Sequence, residues 1–288
     1  MSQDSSQPEH PRPSAAAATI QVQELRRMRA VGERIAALTC YDASFAILEE
    51  RAGVDVVLVG DSLGMVMQGR PTTTAVSVDD IVYHCRCVAP HLRRAFLVAD
   101  LPFLSYATKE RALASSQRLM QQGGAQMVKL EGSRDQADIV EYLSTRGIPV
   151  CAHLGLRPQL IHKMGRFRVQ GREPDAAEAM RRDARVLQDA GADLMVLECV
   201  PATLGRETTD EVEIPVIGIG AGPDTSGQIL VLQDILNISP QASAGHVARF
   251  VQDFMDGAAD ILGALSAYVA AVRSGTYPAP QHCFGSSH

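Results

Sequence analysis

The decapeptide AGVDVVLVGD, residues 52–61, decides the fold. Its glycine follows a stretch with helical character, an apolar β-branched run begins within a few residues, and the run stops abruptly at Gly60 and Asp61. A glycine after a helix supplies a left-handed cap, and the run behind it is too short and too apolar to be another helix. The same device returns in GGAQMVKLEG (123–132) and AGADLMVLEC (190–199). The segments leading into these repeats predict helices. One covers 109–122 behind Thr108 as N-cap; another covers 175–190, with Asp175 and Glu178 spaced as in a capping box. Asp42 reads as the N-cap of the helix that follows it.

Five further runs read as strands: RIAALTCYD (34–42), AFLVAD (95–100), GIPVCAH (147–153), IPVIGIG (214–220) and GQILVLQD (227–234). Nearly continuous apolar strands alternating with helices require a parallel sheet covered on its faces. Eight such units in about 250 residues match the size of a (β/α)₈ TIM barrel. A doubly wound open sheet is the alternative, but no G-x-G-x-x-G turn follows the first strand, and GIGAG (218–222) comes too late to serve as one. The predicted organisation is a disordered leader over 1–18, a catalytic barrel over 19–275 and a tail over 276–288. Within the barrel, 154–174 is a long Arg-, Gly- and Pro-rich connection that reads as a lid or as a plain surface loop. Residues 245–273 read as an amphipathic helix, with Val247, Phe250, Val251 and Phe254 at helical spacing.

The 288 residues are 46% hydrophobic with a formal charge of −6. That is apolar material for one sizeable core and no electrostatic footprint for nucleic acid. No apolar run approaches the roughly twenty residues that span a bilayer, and the N-terminus lacks the pattern of a secretory signal. The six cysteines, at 40, 85, 87, 151, 199 and 283, contain no C-x-x-C pair. Reduced thiols in a cytoplasmic protein are expected, without thiolate-bound zinc.

In a barrel the C-terminal strand ends converge on one face, where active sites form. Here those ends carry Asp61, Asp100, Glu131, His153 and Glu198, and Lys129 shares a strand face with Glu131. A lone acid at a strand end is more often a helix cap. Four together are different: at an effective dielectric near 20, two unit charges about 4 Å apart interact by roughly 4 kcal/mol. They call for a cation or for protonation. Lys129 supplies one positive charge, and an all-oxygen donor set favours Mg²⁺ for the rest.

Several stretches (LTCYDASFA, VGDSLGMVMQG, TTTAVSVDDIVYH, ADLPFLSY, MVKLEG, PVCAHLGLRPQ, VLECVP and IPVIGIGAG) closely resemble the ketopantoate hydroxymethyltransferases, in a match that runs in order from about Thr19 to Phe284. The resemblance implies a Mg²⁺-dependent (β/α)₈ barrel that transfers a hydroxymethyl group from methylene-tetrahydrofolate to 3-methyl-2-oxobutanoate in pantothenate biosynthesis. It further implies that Asp61, Asp100 and Glu131 form the metal site, partly through water, and that Asp61, Ser62, Asp100 and Lys129 hold the oxo acid. Glu198 would be the catalytic base, with His153 inside the site. Members commonly assemble as homo-oligomers, often decamers. The chain departs from the family pattern at Arg70, Ser133, Arg157 and Met164–Phe167, all outside the carboxylate set. Three other readings stand beside it: a Mg²⁺-dependent lyase of another 2-oxo acid, a Schiff-base aldolase using Lys129, and a catalytically silent scaffold.

Overall fold

Eight parallel strands close into a barrel in sequence order. They are β1 (Ile35–Thr39), β2 (Val56–Val59), β3 (Phe96–Asp100), β4 (Met127–Glu131), β5 (Val150–Gly155), β6 (Leu194–Glu198), β7 (Val216–Ile219) and β8 (Gly227–Leu230). This computed structural model describes residues 19–285; the expected leader over 1–18 lies outside them. The strands are apolar on both faces because both faces are covered. Val56, Leu58, Phe96, Val98, Met127, Cys151, Leu194 and Val196 fill the interior. Their neighbours Val57, Val59, Leu97, Ala99, Val128, Leu130, Ala152, Met195 and Leu197 pack outward in a separate cluster with the helices. Ile20, Leu25 and Met28, at the N-terminal helix Val22–Ala30, join the interior cluster and cover the end where the strands begin. The opposite end is left for the site.

The helices form for the local reasons the sequence offered, with four corrections. Asp42 caps Ala43–Ala52 by accepting from Ser44 and Phe45 N–H at 2.8 and 3.0 Å, and Gly53 ends that helix at φ 82°. Thr108 caps Lys109–Gln117, and a wider turn carries the helix on to Gln122. The capping box proposed for 175–190 does not form: the helix is Pro174–Asp189, Pro174 occupies its first turn, and Glu178 pairs with Arg181 instead. The strand expected over 227–234 stops at Leu230, and Leu232–Ile235 is a short helical turn. No helix separates β7 from β8, because only residues 220–226 join them. The helix expected over 245–273 begins only at Ile261, where Asp260 caps it through Gly263 N–H. Gly245 and Gly257, both at positive φ, break the segment ahead of it. Its apolar residues pack one by one from irregular chain: Phe254 is buried, whereas Val247 is exposed.

Two carboxyls outside the site are fully buried: Asp55 is paired with Arg94 and Arg273, whereas Glu49 has no ion pair among the described residues. Glu49 is fully buried in the helix behind β1, both oxygens lacking a hydrogen-bond partner, and burial pushes its pKa well above the ordinary 4.5. A carboxyl raised in the fold contributes stability that is complete below its unfolded pKa and lost as pH rises toward the folded one. Glu49→Met, similar in volume, removes that loss. Its stability relative to the parent should therefore grow as pH rises above the ordinary carboxylate range, a widening stability gap read by unfolding at a series of pH values. A gap independent of pH would mean that Glu49 is ionised in the fold.

Candidate active site

The barrel register brings the ionisable groups to one level. Asp100 on β3 pairs with Lys129 on β4, Glu131 on β4 with His153 on β5, and Gly155 on β5 with Glu198 on β6. Each occupies the interior-facing series of its strand: Asp100 continues Phe96 and Val98, Glu131 continues Met127 and Lys129, and His153 follows Cys151. Asp61 and Ser62 lie just beyond β2. The six sequence-predicted site groups and Ser62 all line one cavity of about 470 Å³ at this end.

Contacts within the cluster are dense. Lys129 donates from Nζ to Asp100 Oδ1, both side chains almost wholly buried. The other Asp100 oxygen accepts from the Asp61 N–H at 2.9 Å. Glycine at position 60 relieves crowding here, since a Cβ would stand 3.2 Å from Asp100 Oδ2 and 3.3 Å from Ser62 Oγ. Ser62 Oγ lies 2.6 Å from the Tyr41 hydroxyl. His153 sits between two acids, with Nε2 at 3.3 Å from Glu198 and Nδ1 at 3.8 Å from Glu131, and neither nitrogen makes a hydrogen bond. Gly155, at φ 90°, leaves room for the Glu198 main chain, whose carbonyl accepts from Leu156 N–H at 2.8 Å.

Burial and crowding set the charges. Burial, reinforced by the Asp100 charge, pushes Asp61 up to about 7. Glu198 is pushed up to about 8 by burial opposed in part by Lys129. Glu131 is raised well above the carboxylate range by burial and by Asp61. Burial works against the Lys129 ammonium, but Asp100, Asp61 and Glu131 outweigh it and hold its pKa above the ordinary value. His153 is held neutral by burial, with Lys129 adding repulsion. Lys129 is the one buried cation among these acids.

Sequence reasoning passed over two buried residues, although both lie in stretches that carry the family resemblance. Gln159, on the turn after β5, donates from Nε2 to Asp61 Oδ2 at 2.8 Å and to the Leu101 carbonyl at 3.1 Å. Its main-chain N–H donates to Glu131 Oε2 at 3.1 Å. The Tyr106 hydroxyl lies 2.6 Å from Gln159 Oε1 and 3.1 Å from the Glu131 carbonyl. No periodicity or spacing marks either residue. The connection read as a lid or a loop carries a 3₁₀ turn (Pro158–Leu160) and a short helix (Ile161–Met164), and it places Phe167, Arg168 and Val169 on the cavity wall. Phe250 and Phe284 line the cavity as well, edge to face at 6.4 Å. Among the described residues no set of three or more His, Cys, Asp or Glu forms a ready-made metal cage, all six cysteines are free, and no helix is long and apolar enough to cross a membrane.

A closed parallel (β/α) barrel with buried acids, one lysine and one neutral histidine around a strand-end cavity defines a TIM-barrel enzyme for a small oxygenated substrate. Solved structures of low sequence identity share this barrel architecture. A phosphonopyruvate hydrolase, solved with oxalate and Mg²⁺, superposes with a TM-score of 0.57 at 14% identity, over 78% of this chain and 82% of that one. A 2,3-dimethylmalate lyase superposes with a TM-score of 0.52 at 15% identity, over 78% and 82%. The chain itself belongs to the ketopantoate hydroxymethyltransferase family, whose model matches residues 19–280. The 3-methyl-2-oxobutanoate hydroxymethyltransferase of Alkalilimnicola ehrlichii is 59% identical over 266 residues, 92% of this chain and 95% of that one. That of Halorhodospira halophila is 53% identical over 273 residues, 95% and 98%.

Proposed function

We propose that the protein transfers a hydroxymethyl group from methylene-tetrahydrofolate to 3-methyl-2-oxobutanoate, giving 2-dehydropantoate for pantothenate biosynthesis in the cytoplasm. The observation that carries this reading is the convergence of Asp61, Asp100, Lys129, Glu131, His153 and Glu198 on one cavity, in a chain more than half identical to enzymes of that name.

The donor set fits Mg²⁺. The carboxylates of Asp61, Asp100 and Glu131 are hard oxygen donors, and burial, reinforced by their mutual repulsion, raises the pKa values of Asp61 and Glu131. Mg²⁺ is usually held by one or two carboxylates, with substrate oxygens and water completing its shell, so a closed protein cage is not required. Asp61, Asp100 and Glu131 would hold it, in part through bound water. Once bound, it supplies Lewis acidity toward the 2-oxo acid.

The chain's own groups do the rest. Lys129, kept as an ammonium by its acidic neighbours, offsets negative charge on the oxo acid and on the enolate oxygen that develops when the C3 proton leaves. An amine so firmly protonated is a poor nucleophile, which argues against a Schiff base. Ser62, held by Tyr41, offers a hydroxyl to the substrate. Glu198, with a pKa of about 8, is matched to taking the C3 proton near neutral pH. Water added to the methylene carbon of methylene-tetrahydrofolate releases tetrahydrofolate as the carbon–nitrogen bonds break and leaves the carbon at the formaldehyde level. The enolate carbon bonds to that carbon, and the oxygen on it takes a proton to become the hydroxymethyl group. His153, neutral and flanked by Glu131 and Glu198, keeps the two acids apart without adding charge. The oxo acid is far smaller than the cavity, and Phe167, Phe250 and Phe284 supply an apolar wall for the folate ring system.

Oxo-acid consumption should require both Mg²⁺ and methylene-tetrahydrofolate, with 2-dehydropantoate formed in equal amount. Cleavage of another 2-oxo acid without folate would instead identify a lyase.

A further inference from the structure

Within that reading, on which this step rests, we infer that Gln159 is a positioning residue that fixes the Asp61 and Glu131 carboxylates for the cation. It is almost fully buried, and every polar atom of its side chain is engaged. The amide orientation follows from its partners. Nε2 faces the Leu101 carbonyl, which can only accept, and also Asp61 Oδ2, so that end must be the two-donor NH₂. Oε1 then faces the Tyr106 hydroxyl, which donates to it at 2.6 Å. The acceptor-only Leu101 carbonyl and Asp61 set the amide orientation, and the Tyr106 hydroxyl helps hold it by donating to the amide oxygen.

The effect is to bias one carboxylate oxygen of Asp61. With Oδ2 committed to a neutral donor, the carboxyl cannot rotate freely and is held in one orientation for coordination. The same residue holds Glu131 through its main chain, a bond that survives any side-chain change. Two acids from separate strands are thus tied to one turn, at the start of the connection that brings Phe167, Arg168 and Val169 to the cavity wall.

The two Gln159 bonds can be separated. Gln159→Met keeps the volume and the main-chain bond to Glu131 but removes the bond to Asp61. Tyr106→Phe leaves Gln159 in place but removes the bond that helps hold its orientation. Mn²⁺ affinity, measured by electron paramagnetic resonance on the intact protein without substrate, should fall by about 10-fold or more in Gln159→Met. Tyr106→Phe should shift it less, in the same direction, and both variants should unfold cooperatively. Deuterium exchange at C3 of the oxo acid should fall with Mn²⁺ affinity at subsaturating metal and recover when metal is raised, a rescue that general loosening of the fold would not give. Mn²⁺ affinity within twofold of the parent in both variants overturns the assignment; should Gln159→Met fail to fold, an unchanged Tyr106→Phe overturns it alone. A parent that binds Mn²⁺ but exchanges no deuterium would refute the proposed reaction and leave the metal-affinity comparison standing.

Discussion

Glu198→Gln should slow exchange of the C3 proton of 3-methyl-2-oxobutanoate by about 10²–10⁴-fold, the usual contribution of a positioned general base, while Mn²⁺ affinity changes little. The split follows from geometry. Glu198 stands at the end of β6 beside His153, across the mouth from the Asp100–Lys129 pair, and it takes no part in the hydrogen bonds that tie Asp61, Asp100 and Glu131 together. Its carbonyl, not its carboxyl, accepts from Leu156 N–H where the parallel β5–β6 pairing ends, so glutamine preserves the local fold. Exchange is read by proton NMR in heavy water with oxo acid and Mg²⁺ but no folate, which isolates proton removal from carbon–carbon bond formation. Unchanged exchange in Glu198→Gln would remove Glu198 as the base.

Lys129→Met should be the most damaging single change. Breaking a buried ion pair by deleting one partner typically costs 3–5 kcal/mol, about the expected loss here, because Asp100 is left as an uncompensated buried charge. Losing the only ammonium inside the carboxylate cluster should also lower kcat/KM by about 10²–10³, the scale seen when one preorganised stabilising donor is removed. Chemical denaturation and steady-state kinetics read the two effects separately, and saturating Mg²⁺ should restore part of the stability by replacing the missing positive charge. A variant with parental stability would show that the Lys129–Asp100 pair makes no net contribution to the fold. Trapping of substrate on the parent by borohydride would show instead that Lys129 acts as a nucleophile.

Much of this site was legible in the sequence because barrel strands impose a period of two and end at a common level. Once Met127, Lys129 and Glu131 are placed on one face, and Asp61, Asp100, His153 and Glu198 at neighbouring strand ends, closure of the barrel brings them together with no further information. Gln159 and Tyr106 escaped because their partnership spans 53 residues and joins two irregular segments, where neither burial nor direction leaves a periodic trace. The helix expected from 245 failed for the opposite reason. Val247, Phe250, Val251 and Phe254 carry helical spacing, but Gly245 and Gly257 at positive φ, and Asp253 accepting from the Met255 N–H at 2.8 Å, commit that chain to turns until Asp260 supplies a true cap. Spacing alone does not distinguish an apolar helix face from apolar residues dropped singly into a loop.

The central claim, that the β2–β4 strand ends hold a divalent cation which grips the oxo acid, is tested most directly by anomalous diffraction. A crystal soaked with Mn²⁺ and 3-methyl-2-oxobutanoate should show a single strong peak beside the Asp61 and Asp100 carboxylates, with the oxo acid touching both the cation and the Lys129 ammonium. A peak away from those strand ends, or an oxo acid bound in the cavity with no cation beside it, would contradict it.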